Sequence, residues 1–275
     1  KKLVMYINPP YAEIAGNKIG VNLNRIHDKY AEQLEVGNRE LFAQFLIRIY
    51  NEIQNCIIAE FSTMKILCAS NFNTFQKNYL AKLSSCFVVP ANTFDNVNGD
   101  FPIGFKIWRT NIKENFKSIE ADVFDKEGTN IGKHGFYSIT NEAYFSKWVN
   151  SFKVNKGIVI GWIEGCTRNS FQHNRIIGIL NKKEQISVPR GMIITDYNLM
   201  QVMVCFAVRK CIEATWLNDR DQFLFPLDNW KEDTEFQNDC LAFTLFNTNI
   251  QSKFGTNHWI PFTEQEVDAR EKFES

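Results

Sequence analysis

The chain has 275 residues, and its 31 basic and 31 acidic side chains give no net charge at pH 7. A hydrophobic content of 44% with 23% charged residues is typical of a globular protein and excludes a disordered chain. No apolar stretch approaches the roughly 20 residues of a membrane span, and there is no signal peptide. The seven cysteines contain no CxxC pair, so we expect reduced thiols in a cytoplasmic protein without a metal site.

The first predicted element is a strand over residues 3–7, which ends at the turn Asn8-Pro9-Pro10-Tyr11. The prolines fix φ and have no N–H, so the carbonyls of Asn8 and Pro9 are held in one direction. With the side-chain oxygen of Asn8, these acceptors suit an exocyclic amino group, which has two hydrogens to donate. Tyr11 then offers a flat face on which a base can stack.

Helix and strand patterns alternate after this turn. The predicted elements are, in chain order, a long polar loop over 12–36, a helix over 39–54, a strand over 56–61, a helix holding Phe72, Phe75, Tyr79, Leu80 and Leu83 and capped by Ser70 or Asn71, and strands over 85–89 and 103–108. This order predicts an α/β fold, part of a doubly wound sheet, whose strands deliver chemistry at their carboxyl ends.

The tetrapeptide resembles the Asn-Pro-Pro-Tyr signature of the amino-methyltransferases, above all the gamma-type N6-adenine-specific DNA methyltransferases of restriction-modification systems. The order of elements over roughly the first 110 residues is similar as well. The resemblance implies that Asn8, Pro9, Pro10 and Tyr11 form the catalytic motif. In this motif Asn8 and the carbonyl of Pro9 hold the amine of an adenine flipped out of double-stranded DNA, and Tyr11 stacks on its ring. It also implies S-adenosylmethionine as the methyl donor.

Other roles are carried over by position. The resemblance implies that Phe94 stacks on the base opposite Tyr11, with Phe101 as the competing candidate and plain core packing as the alternative for Phe94. It implies a cofactor contact for Glu40, Leu41 and Phe42, for which the alternative is a solvated charge followed by two core residues.

One part of the family pattern is missing. No G-x-G-x-x-G or equivalent glycine-rich turn occurs in the chain. The chain also begins without Met at the edge of the predicted strand over 3–7. We therefore expect it to be the C-terminal part of a longer methyltransferase, in which an upstream segment binds the cofactor.

The sequence changes character after residue 112, which predicts a catalytic-motif half over 1–112 and a mixed α+β target-recognition or accessory region over 113–275. In the second region, strands are predicted over 157–165 and 176–180, and helices over 198–216 and 228–246. The four histidines are too scattered for a metal site, and Asp219 and Asp221 suggest local salt bridges.

Between the two strands of this region lies a segment, 168–175, whose side chains suit DNA. Arg168, Asn169, Gln172 and Arg175 are of the types that contact phosphates and base edges. From Lys147 to Arg190 there are eight basic and two acidic residues, a net charge of +6. The alternative is a polar hairpin loop on a solvated basic face.

The sequence therefore predicts methylation of the adenine N6 amine in DNA. Two alternatives stay open: methylation of a protein glutamine, whose amide suits the same acceptors, and a non-catalytic DNA-binding fragment, because the glycine-rich loop is missing.

Overall fold

The computed structural model describes residues 3–10, 25–95, 97, 99–138, 144–187 and 189–247. The chain divides into two compact units. The first comprises Lys1–Glu142 and Thr215–Gln222, and the second Ala143–Ala214 and Phe223–Ser275. No helix among the described residues is long and apolar enough to cross a membrane.

The first unit is built on a six-stranded mixed sheet. Its elements are β1 Leu3–Ile7, α1 Arg25–Lys29, α2 Ala31–Leu34, α3 Leu41–Glu52, β2 Cys56–Thr63, α4 Lys65–Cys68, α5 Asn73–Asn78, β3 Ala81–Pro90, β4 Pro102–Lys113, β5 Ser118–Phe124 and β6 Asn130–Tyr137. The strand order is β1-β2-β4-β3-β5-β6. Strands β1, β2, β3 and β5 run in one direction, and β4 and β6 run against them.

One face of this sheet is covered by helices. Leu46 and Ile47 of α3 and Phe75 of α5 share a core with Ile58 of β2 and Trp108 of β4, all of them at most 2% exposed. The apolar spacing of α3 places its buried residues on the side that meets the sheet. The predicted α/β class, followed by a mixed α+β region, is therefore confirmed.

Three details differ from the prediction. Residues 12–24 of the predicted loop lie outside the described residues, but Arg25–Lys29 and Ala31–Leu34 form α1 and α2, whose few apolar residues give no helical pattern. The helix predicted through Leu83 ends at Asn78, with no side-chain cap at its start. Leu83 lies in β3 and pairs with Trp108, because strand pairing overrides the apolar spacing that continues past the helix.

The sheet also extends past the predicted boundary after residue 112. Strands β5 and β6 belong to the first unit, which runs to Glu142 and also includes Thr215–Gln222. Their side chains are largely polar and exposed, and only Ala121, Val123 and Phe136 are buried. In β5, Ile119, Ala121 and Val123 alternate with polar residues, which is the pattern of a half-buried strand that the sequence analysis overlooked, whereas β6 has no such alternation.

The second unit is a three-stranded antiparallel sheet with helices. Its elements are α6 Phe145–Ser151, β7 Val159–Glu164, β8 Gly178–Leu180, β9 Met192–Thr195, α7 Leu199–Cys211 and α8 Thr234–Asn247. The strand order is β8-β7-β9. Ile163 of β7, Val149 of α6 and Phe206 of α7 meet in one core. The predicted strands over 157–165 and 176–180 and both predicted helices are confirmed with shifted ends.

Candidate functional site

The Asn8-Pro9-Pro10 segment leaves the sheet directly after Ile7, the last residue of β1. Ile7 pairs with Glu60 of the parallel neighbour β2. Pro9 is buried, whereas Asn8 and Pro10 are exposed. A buried proline with a fixed φ limits how the turn can relax, so Asn8 is held at the surface next to the strand end. Tyr11 lies outside the described residues.

Phe94 and Phe101 lie at the same edge of the sheet as Asn8. Because β1, β2 and β3 run in one direction, their carboxyl ends share one edge, here called the carboxyl edge. Phe94 follows the end of β3 after a single 3₁₀ turn, and Phe101 precedes the first residue of β4. The N–H of Ala91 donates to the carbonyl of Phe101 at 2.9 Å, which ties these two connections together.

Ring contacts run across the second face of the sheet from β1 to Phe94. Tyr6 lies 6.2 Å from Phe105, Phe105 lies 4.8 Å from Phe61, and Phe61 lies 5.3 Å from Phe94 between ring centroids. Phe94 is only partly buried, so one side of the ring is supported by Phe61 while part of it is accessible. Its predicted role as a stacking partner stays a prediction.

The three residues predicted to contact the cofactor have different environments. Glu40 is 3% exposed, and its Oε1 accepts a hydrogen bond from Lys65 Nζ at 2.9 Å. Leu41 is partly exposed. Phe42 is fully buried, and its ring stacks on Phe72 with 5.7 Å between centroids. Glu40 thus has a cationic partner in the chain, Phe42 has the surroundings of a core residue, and the cofactor role of all three stays a prediction.

A buried ion pair lies next to the strand that carries the motif. Glu60 and Lys106 are both fully buried, with 3.5 Å between Lys106 Nζ and Glu60 Oε1. Lys106 Nζ donates to the carbonyls of Ser62 at 2.9 Å and Gly104 at 3.0 Å, and Trp108 Nε1 donates to Glu60 Oε1 at 3.0 Å. Among the described residues, Glu60 Oε2 has no hydrogen-bond partner. Sequence reasoning missed this pair, because the two residues are far apart along the chain.

Further charged residues of the first unit contact one another or an aromatic ring. The guanidinium of Arg220 lies 5.3 Å from the ring centroid of Phe101, and its Nε lies 2.9 Å from Asp219 Oδ2. Asp221 Oδ2 lies 2.8 Å from His134 Nε2, and burial raises the pKa of Asp221 above its ordinary value although His134 opposes the rise. The predicted local pairing is confirmed for Asp219, whose partner is the adjacent Arg220, whereas Asp221 contacts His134, which lies on the distant strand β6.

The buried thiols of Cys68 and Cys86 do not have the low pKa of a catalytic cysteine. Burial raises the pKa of the Cys86 thiol to about 12, although Lys106 opposes the rise, and burial also raises the pKa of Cys68. Thiols with such pKa values are poor nucleophiles at neutral pH. No group of three or more potential metal ligands occurs among the described residues.

In the second unit, the predicted DNA-binding residues lie in a compact connection between β7 and β8 rather than in an open loop. Phe171–Ile176 form a 3₁₀ helix. Arg168 Nη1 lies 2.7 Å from His173 Nε2, and the Asn169 side-chain oxygen accepts from the N–H of Ser146 at 2.8 Å. The side chain of Asn169 therefore stabilises the backbone at Ser146 of α6.

The other two predicted residues are more accessible. Arg175 is exposed, and its Nη2 donates to the carbonyl of Ala214 at 3.1 Å, while Gln172 is partly exposed. The basic residues around them, Lys147, Lys153, Lys156, Lys182, Lys183 and Arg190, are all exposed. The unit therefore presents basic side chains to solvent, and DNA binding by the segment over 168–175 stays a prediction.

Comparisons with known proteins give only remote similarities. No protein-family model matches the chain, and no curated protein matches it in sequence. Among solved structures, similarity is found to a modification subunit assigned to a type I restriction enzyme from Vibrio vulnificus YJ016, with 14% identity over 46% of this chain and 28% of that one, at a TM-score of 0.31.

A second solved structure with similarity is the ATP-dependent Type ISP restriction-modification enzyme LlaBIII bound to DNA. The identity is 12%, the match covers 59% of this chain and 14% of that one, and the TM-score is 0.35. The chain thus spans less than a third of the length of either protein. TM-scores this low do not establish a shared fold.

Proposed function

We propose that this chain supplies the amine-holding half of an adenine-specific DNA methyltransferase of the restriction-modification type. The observation that carries the proposal is the Asn8-Pro9-Pro10 turn at the carboxyl edge, where Pro9 is buried and Asn8 is exposed. Asn8 and the carbonyl of Pro9 accept the two hydrogens of the adenine N6 amine and orient its lone pair outward. This orientation is the chain's own contribution to methyl transfer.

The base must leave the DNA stack for this contact to form, because the amine cannot reach a methyl donor inside the duplex. Tyr11 and Phe94 are proposed to hold the extruded ring between them. Phe94 suits this role because Phe61 supports one side of its ring at 5.3 Å. Stacking of this kind contributes about 1–3 kcal/mol per base.

The residues described here do not form a complete site for S-adenosylmethionine. Glu40 is ion-paired with Lys65, Phe42 is in the core, and the sequence has no glycine-rich turn. We therefore derive no step from a cofactor bound by this chain alone. The methyl donor is proposed to be held by another segment that docks beside β1.

The exposure of β1 supports such a docking segment. On one side β1 pairs with β2, and among the described residues no strand pairs with its other side. Leu3, Val4 and Tyr6 of this strand are 51%, 60% and 67% exposed. Apolar side chains on an unpaired strand edge are a liability that proteins normally cover. A parallel strand from the cofactor-binding segment would cover them.

The test uses the complete enzyme, that is, this chain together with its cofactor-binding segment. Asn8→Ala is expected to abolish methyl transfer to duplex DNA and to leave DNA affinity nearly unchanged, because phosphate contacts supply most of the affinity. Asn92→Ala, at the same sheet edge, is the matched control and should retain turnover. Near-normal turnover of the Asn8 variant would contradict the proposal.

The test also separates the alternatives. A non-catalytic DNA-binding fragment is favoured by the missing glycine-rich turn, and it would bind DNA without transferring methyl groups even after the second segment is added. In calorimetry, this chain alone should show no tight binding of S-adenosylmethionine. Methyl transfer to protein glutamine but not to DNA would favour the protein-glutamine alternative.

A further inference from the structure

Arg209 is a buried cation in the second unit with an unusual set of partners. It lies in α7 and is fully buried. Among the described residues, no carboxylate forms an ion pair with it. Burial lowers the pKa of Arg209 to about 10, so the side chain is still charged at neutral pH. A charge buried without a counter-ion opposes folding unless other contacts compensate for lost hydration.

The compensating contacts come from the segment between β7 and β8. Arg209 Nε donates to Asn174 Oδ1 at 2.6 Å, Nη2 donates to the carbonyl of Ser170 at 3.1 Å, and Nη1 donates to the carbonyl of Arg168. Each nitrogen of the guanidinium therefore holds a different residue of this segment. The planar fork of an arginine fixes three donors in one geometry, which a lysine ammonium cannot reproduce.

Aromatic rings extend the same contact to Phe171. The guanidinium carbon of Arg209 lies 4.4 Å from the ring centroid of Phe223, and Phe223 stacks on Phe171 with 4.0 Å between centroids and 13° between planes. The same guanidinium carbon lies 5.4 Å from the ring centroid of Phe145. The segment is thus held at Arg168, Ser170, Phe171 and Asn174 around a single side chain.

We propose that Arg209 is a positioning residue that holds Arg168 and Arg175 in the arrangement in which they contact DNA phosphates. The inference rests on the proposed DNA methyltransferase function and on the predicted DNA contacts of the segment over 168–175. Arg209 does not touch DNA, because it is fully buried. It acts through the backbone of Arg168 and the side chain of Asn174, which precedes Arg175 directly.

The experiment measures the salt dependence of binding to a short DNA duplex with the full chain. Arg168→Ala with Arg175→Ala is expected to lower the slope of log affinity against log salt by about 0.9 per phosphate contact, or about 2 in total. Arg209→Met is expected to lower it by about the same amount. Adding Arg209→Met to the double variant should change the slope no further, because the same contacts are already lost.

Two further variants separate positioning from charge and from misfolding. Lys210→Met removes one positive charge from the adjacent position of α7, where the ammonium lies 6.0 Å from the ring centroid of Phe206, so it should leave the slope nearly unchanged. Arg209→Lys keeps the charge but loses the fork, and it should still lower the slope. Hydrogen exchange of amides over 168–176 should accelerate in both Arg209 variants and not in Lys210→Met.

The outcomes are distinguishable. A normal slope in Arg168→Ala with Arg175→Ala would overturn the proposed DNA role of the segment, and with it the role of Arg209. A lowered slope there, combined with a normal slope and normal exchange in Arg209→Lys and Arg209→Met, would overturn the role of Arg209 alone. An equal decrease of the salt slope in Lys210→Met would show that the positive charge of α7 matters rather than the position of the segment. It would also overturn the positioning role of Arg209.

Discussion

Glu60 and Lys106 form a buried ion pair, and we expect the effect of Glu60→Gln on stability to change sign when Lys106 is replaced as well. Lys106→Met removes the only cation that the structure places beside the Glu60 carboxylate within the described residues, and leaves that carboxylate with the single hydrogen bond from Trp108 at 3.0 Å. Removing one partner of a buried ion pair costs about 3–5 kcal/mol. We expect this loss in the free energy of unfolding.

Glu60→Gln tests the other half of the pair. In the wild-type background it should destabilise the protein, since it leaves the buried Lys106 ammonium without its counter-ion, although the carbonyls of Ser62 and Gly104 still accept from it. In the Lys106→Met background the same change should stabilise the protein by about 1–3 kcal/mol, because it removes an unpaired charge and keeps the acceptor for Trp108.

Urea unfolding at pH 7, followed by tryptophan fluorescence and circular dichroism, measures all four members of this cycle. Glu120→Gln with Lys133→Met removes an exposed ion pair between β5 and β6, in which Lys133 Nζ lies 2.7 Å from Glu120 Oε1. This surface control should change stability by less than about 1 kcal/mol. The reasoning would be refuted if Lys106→Met cost less than about 1 kcal/mol, or if Glu60→Gln destabilised both backgrounds.

Three further outcomes follow from the structure. Lys29, Arg48 and Tyr30 hold the pKa of Glu52 at about 2, so the ionised Glu52 carboxylate stabilises the fold above pH 4.5 and loses this effect as the pH falls toward 2. The difference in melting temperature between wild type and Glu52→Gln should therefore shrink in acid. A difference that stays constant with pH would contradict this. Of the seven cysteines, all in described positions, only Cys211 is exposed, so a thiol reagent should modify one thiol quickly in the native chain and seven in denaturant, with Cys211→Ser as the control. Phe42→Ala should destabilise the protein by about 3–5 kcal/mol in chemical denaturation, whereas a loss below about 1 kcal/mol would show that Phe42 is not a core residue.

The sequence predicted the elements whose signals are local. Residues 3–7 and 56–61 are apolar runs, and 41–52 carries apolar residues at helical spacing, so β1, β2 and α3 could be located without tertiary information. The Asn8-Pro9-Pro10 turn was likewise predictable, because two prolines restrict a backbone wherever they occur. Its place at the carboxyl edge follows from the parallel pairing of β1 with β2.

What the sequence did not reveal depends on contacts between distant residues. Strand β6 has only Phe136 buried and no alternation of apolar and polar residues, and it becomes a strand by pairing with β5. The segment over 168–175 was predicted as a source of DNA contacts from its residue types alone. In the structure the side-chain oxygen of Asn169 accepts a hydrogen bond from the N–H of Ser146. The residue type alone does not indicate this contact.

Lys106 and Arg209 show why the charged residues were hardest to place. Each is fully buried, and each donates to backbone carbonyls: Lys106 to Ser62 and Gly104, and Arg209 to Arg168 and Ser170. Because a buried cation is stable only while such partners are in place, each one restricts the backbone around it. Lys106 does so on the strand next to the motif, and Arg209 does so in the segment proposed to contact DNA. Hydrophobic periodicity places charged residues at the surface. It therefore does not identify Lys106 and Arg209 as core residues, although they constrain the backbone near the two candidate sites.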